Sequence, residues 1–167
     1  MRRITIFAAV ITGIFLMVAG PVRAAAAPQK FSKADFYSVM KSGDKAAVES
    51  EIALVKSDAP AKEKEGYEGA LLMKQAGLAK RPKERLSLFK AGRIKLETAL
   101  LADNDNTEFH FLRLAIQEHA PKIVKYRSDI GKDKEFVQKN FKGLSPAVQH
   151  AILDYAENSK VLHKEEF

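Results

Sequence analysis

The 167-residue chain contains no cysteine. That excludes disulfide bonds, a thiolate nucleophile and a lipoprotein anchor, which needs a lipid-bearing cysteine. A fold without cross-links must hold itself by its core, and a domain of about 140 residues can do so by burying roughly 60% or more of its unfolded surface. Also missing are a GxSxG nucleophile elbow, an HExxH pair and a phosphate-binding glycine loop. No run alternates apolar and polar residues as a half-buried strand does. There is no dense basic block interleaved with aromatics, so nucleic acid is not an expected partner. What remains is an all-α chain without a recognisable catalytic signature.

The N-terminus carries the first positive signal. Arg2 and Arg3 precede an uncharged, mostly apolar run from Ile4 to Gly20, and Ala24 to Ala27 supply small residues suited to cleavage. Pro28 is a poor residue directly after a cut, which places the cut after Ala24 or Ala26. Thr5, Thr12, Gly13 and Pro21 weaken a retained anchor, and the run falls short of the ~20 apolar residues of a spanning helix. The expectation is a signal peptide over 1–26 and an exported protein, periplasmic or secreted, with no membrane span in its mature form. The 28 basic residues, less Arg2, Arg3 and Arg23, exceed the 21 acidic ones by only 4. The pI of 9.5 therefore overstates the basicity of the mature chain. Lysines alternate with glutamates, as on a solvated helical surface.

After a tether over 27–31, the periodicity predicts a single helical domain over 32–158 and a frayed polar tail over 159–167. Ser32 is a good N-cap for a first helix, with Asp35 three residues on. Gly43 can take the left-handed conformation past its end, and Asp44 can cap the second helix, whose stripe is Val48, Ile52 and Val55. Pro60 opens a third helix, where Gly66, Gly69 and Gly77 each cost about 1 kcal/mol relative to alanine. Such glycines make sense where a neighbouring helix packs closely, or where Gly77 marks the end. Pro82 starts the fourth and longest helix, with Leu86, Phe89, Ile94, Leu96 and Leu100 on its core face and Gly92 as a second point of close approach. Thr107 to His119 forms the fifth helix, ended by Pro121. An irregular piece, Lys122 to Glu135, precedes a sixth helix with Phe136, Val137 and Phe141. Ser145 and Pro146 open the last. The fold class is all-α, a compact bundle of about six or seven helices.

The run "KLETALLADNDNTEFHFL", Lys95 to Leu112, resembles the junction between tetratricopeptide repeats. Ala99 matches the small residue that lets the two helices approach, and Asp103 with Asn106 match the turn. Asn104 stands where those repeats usually carry proline, and bulky Leu114 where a small residue is expected. The resemblance is confined to about Pro60 to Pro121, without a 34-residue period elsewhere. The chain also resembles a group of small exported helical proteins without an assigned activity. The implied fold is a compact tetratricopeptide-like bundle, and the resemblance implies no activity.

Three chemistries can be weighed against the residues. A calcium loop counted from Asp103 needs glycine sixth and glutamate twelfth, where this chain has Glu108 and Leu114. The "DNDN" run therefore reads as a turn and cap, with Glu108 favoured at the positive end of the helix dipole. The histidines, His110, His119, His150 and His163, lack zinc-ligand spacing. A carboxylate pair meeting only in three dimensions stays open. No metal or cofactor is expected.

On the fifth helix, apolar residues occupy almost the whole circumference, and His110, Arg113 and Gln117 form one narrow polar stripe. Two readings are open. In one the stripe is structural, with Arg113 paired to a glutamate such as Glu97. In the other it floors a ligand or peptide groove, with Arg113 forking onto a carboxylate or phosphate. The chain is thus expected to act by binding, as a helical interaction module of the cell envelope whose partner is another envelope protein or a peptide. A small envelope enzyme with a site assembled from separated carboxylates or histidines is the second reading. A chaperone-like holder of polypeptides is the third.

Overall fold

The computed structural model describes residues 29–167. The expected signal peptide over 1–26, and the tether up to 28, lie outside the described residues. Seven α-helices follow in order: α1 (Lys33–Lys41), α2 (Lys45–Asp58), α3 (Lys64–Leu78), α4 (Pro82–Ala102), α5 (Thr107–His119), α6 (Ile130–Asn140) and α7 (Pro146–Ala156). Short 3-10 turns occupy Lys122–Val124, Phe141–Gly143 and Lys164–Glu166. Among the described residues there is no strand, and no helix is long and apolar enough to cross a membrane.

Several boundaries are set by side chains expected to set them. Ser32 Oγ accepts from Asp35 N at 3.1 Å, Asp44 Oδ1 from Ala46 N at 2.8 Å, and Asn106 Oδ1 from Phe109 N at 3.1 Å. Each satisfies an amide that the first turn of a helix leaves free. Three boundaries differ from expectation. α6 begins at Ile130, inside the stretch expected to be irregular. Gly43 is not left-handed, since none of the described glycines has positive φ. Ser42 closes α1 instead, through its amide on the Ser38 and Val39 carbonyls and its hydroxyl on Val39 O at 2.8 Å. Pro60 begins a turn whose carbonyl accepts from Glu63 N and Lys64 N, and α3 starts four residues later.

The most extensive packing joins α3 to α4. Gly69 and Gly92 make it possible. A Cβ on Gly69 would stand 2.6 Å from Leu96 N and 2.7 Å from the Gly92 carbonyl, so the two backbones touch where only glycine fits. Gly66 is enclosed by the Phe109 ring, whereas nothing lies within 4 Å of a Cβ on Gly77. Along α4 the buried face is Phe89, Gly92, Leu96, Ala99 and Leu100. Leu86 and Ile94 were expected on it and are instead 48% and 66% exposed. Ile94 is five residues from Phe89, about 140° round the helix from that stripe.

Two apolar clusters share α5. The larger gathers α1 to α4 around Phe36, Tyr67 and Phe109, with ring centroids 4.7 Å apart for Phe36–Tyr67 and 5.6 Å for Tyr67–Phe109. The smaller holds Val137 of α6, Val148, Ile152 and Ala156 of α7, and Leu162. Phe109 and Leu112 of α5 enter the first cluster, Phe111 and Leu114 the second. The tail over 159–167, expected to fray, makes packed contacts with the domain. Leu162 is fully buried, the Phe167 ring lies 4.6 Å from Phe141, and Ser159 Oγ accepts from the amides of Val161 and Leu162. Polar contacts add to these apolar anchors: Glu118 Oε1 accepts from Lys160 N at 2.7 Å, and Lys134 Nζ donates to Val161 O at 2.9 Å and to Glu166 Oε1 at 2.6 Å.

Candidate functional site

The polar stripe of α5 meets a complementary stripe on α6. Asp133, wholly buried, accepts from Arg113 Nε at 2.8 Å, Arg113 Nη2 at 2.7 Å and His110 Nδ1 at 2.6 Å. One turn along, Gln117 pairs with Asp129: its Nε2 donates to Oδ2 at 3.1 Å and its Oε1 accepts from the backbone N at 3.2 Å. The helices run antiparallel, so positions 110, 113 and 117 face 133 and 129 in turn. Arg113 Nη1 also donates to Glu97 Oε2 at 3.0 Å, and Tyr126 OH to Glu97 Oε1 at 2.5 Å. His110 Nε2 reaches the Asn104 carbonyl at 2.8 Å, and its ring stacks on Phe136 at 4.2 Å.

The electrostatics follow from these contacts. Burial opposes the charged form of Arg113, but the hydrogen bonds and charge of Asp133, with Glu97, outweigh it and raise its pKa. Burial likewise opposes a charged His110, yet the Asp133 hydrogen bond, the Asn104 carbonyl and the Asp133 charge hold its pKa above the ordinary value. The arrangement matches the structural reading of the stripe, including the Glu97 pair. His110, Arg113 and Gln117 are brought together, but against α6 rather than at the floor of a groove.

The turn before α5 behaves as a cap. Glu108 is 5% exposed and serves α1, taking Lys33 Nζ at 2.6 Å and Tyr37 OH at 2.9 Å. Among the described residues no group of three His, Asp or Glu is placed to hold a metal ion. His119, His150 and His163 are all exposed.

A different face of α5 is open. Phe111, Leu112, Ala115, Ile116 and His119 form the floor of a groove of about 1610 Å³. One wall is built by α3 and α4 with Met73, Leu86 and Phe89, and the other by α1 and α7 with Tyr37, Met40, Ala151 and Tyr155. Ile123, 88% exposed, stands at the end, on the turn after α5. Within that second wall α1 crosses α7 through the Lys41–Asp154 pair at 3.3 Å, and Tyr37 of α1 meets the floor at Phe111, with ring centroids 6.0 Å apart. Lys41, Lys74, Arg85, Lys90 and Arg93 line the groove against a single acid, Asp154. Burial lowers the pKa of Lys74. Tyr155 donates to Glu118 at 2.5 Å, and burial, then that bond, raises its pKa.

Sequence reasoning missed the groove. The available signal was the pair of misplaced apolar residues, Leu86 and Ile123, each adjacent to basic residues in sequence and none needed for the core. No protein-family model, no curated protein and no solved structure matches this chain.

Proposed function

We propose that the protein is an exported binding module of the cell envelope that works through the groove floored by α5. The observation that carries this reading is the groove itself, about 1610 Å³, lined mainly by apolar side chains with exposed Leu86 and Ile123 at its edge. Exposed apolar surface rimmed by polar groups marks interaction sites rather than ordinary solvated surface. The signal-like segment before residue 27 and the tetratricopeptide-like junction at Lys95 to Leu112 support the same reading. The polar stripe contributes by fixing α6 against α5, not by touching a ligand.

Site-specific photo-crosslinking in intact cells tests it. A photoreactive residue at position 86 or 123 should form discrete adducts in the envelope fraction. One at Leu101, which is 86% exposed but outside the groove, should form none. Equal labelling at all three positions, or none, would refute the groove as the working surface.

A further inference from the structure

We infer that the occupant of the groove is an amphipathic helix with an acidic outer face, supplied by a partner protein. This rests on the groove being the working surface and goes further by naming what fills it.

Size comes first. Pockets for small molecules enclose about 300–1,000 Å³, well below the 1610 Å³ found here. A helix about 10 Å across rises 1.5 Å per residue, so each residue fills about 120 Å³ and the groove has room for roughly three to four turns. Shape agrees, because a trough between two helical walls accepts a third helix by its apolar face. The methionines on the walls, Met40 and Met73, are flexible enough to adapt to the side chains of a guest.

Charge decides the chemistry. Lys74, Arg85, Lys90 and Arg93 have no carboxylate within 4.0 Å among the described residues, whereas Lys41 is already held by Asp154. The five cations of the lining exceed its one acid by 4, which equals the whole basic surplus of the chain beyond Arg23. Elsewhere the charges balance. From Arg85 to Arg93 the cations of α4 extend over about 12 Å of helix. An anionic amphiphile carries its charge at one end and would leave most of them unpaired. A helix with several acids along its outer edge meets them in series, and such complementarity also speeds encounter.

A peptide of about 14 residues (~21 Å as a helix), with leucines on one face and glutamates on the other, is a direct probe. Titrated into the protein, it should bind one to one, gain helical circular dichroism and weaken as salt rises. Arg85→Glu with Lys90→Glu should weaken it at least tenfold. Lys139→Glu with Lys142→Glu, the same charge change on exposed residues outside the groove, should weaken it less than threefold. Thermal melts of both variants exclude loss of fold as the cause. The inference is overturned if a lysine-for-glutamate peptide binds as tightly, if the two double variants weaken binding equally, or if palmitate binds and the acidic peptide does not. In each of those cases adducts at positions 86 and 123 would still show the groove in use. Their absence would remove the underlying reading as well.

Discussion

Asp133→Ala is the sharpest test of how α6 is held. Asp133 is wholly buried and accepts three hydrogen bonds, two from the Arg113 fork and one from His110. Its removal leaves the Arg113 guanidinium, only 13% exposed, with Glu97 alone. Breaking a buried pair from one side costs about 3–5 kcal/mol, because the remaining charge stays desolvated. For a domain of this size each kcal/mol lowers the melting temperature by about 3 °C, so a fall of about 10–15 °C is expected. Replacing both ends, Asp133→Leu with Arg113→Met, removes the stranded charge and should recover at least half of the loss. The two sites should therefore couple by more than about 1.5 kcal/mol. Proton linkage gives a second readout. His110 has a folded pKa above its unfolded value, so its contribution is complete below about pH 6.5 and is lost as pH rises through the folded value. Urea melts of the parent chain should show that component of stability declining from pH 6 to 8, and Asp133→Ala should flatten it. A loss under 1 kcal/mol for Asp133→Ala, or strictly additive single effects, would refute the network as the clamp.

Four further substitutions probe close packing and burial. Gly69→Ala and Gly92→Ala should each destabilise by about 1–3 kcal/mol despite their gain in helix propensity, since each new methyl meets backbone, while Gly77→Ala should stabilise by about 0.5–1 kcal/mol; thermal denaturation of the three variants decides. Glu51, 4% exposed with Oε1 unpartnered, has its pKa raised first by burial and then by Asp35, so Glu51→Met should add about 1 kcal/mol at pH 8 and less at pH 4, where the acid form is already favoured; equal gains at both would contradict the assignment.

Local rules carried much of the fold. Ser32, Asp44 and Asn106 cap where their side chains can reach first-turn amides, a geometry that needs nothing beyond four residues of sequence. The central place of α5 was legible because apolar residues ring it, and the close approach at Gly69 and Gly92 because glycine is otherwise unfavourable there. The partner of the stripe was not legible. Asp133 lies in "GKDKEF", where flanking lysines suggest a solvated turn, yet it falls four residues before Val137 on the buried face of α6. Which helix would present an acid to Arg113 depends on how α6 docks, and that is settled by contacts distant in sequence. The groove is a property of several helices at once. Leu86 reads as core on α4, and only the positions of α1, α5 and α7 leave it at an edge.

On the proposed reading of the groove, the placement of α5 carries a trade between stability and function. On most sides the helix is enclosed by α3, α4, α6 and α7, and its remaining side, with Ala115 and Ile116, is the groove floor. Larger side chains at Ala115 and Ala151, which both line the trough, would narrow it. Alanine at both positions keeps it open. The protein thus leaves apolar contact unmade at the centre of its fold, and whatever enters the trough restores it, so that occupancy and resistance to unfolding rise together.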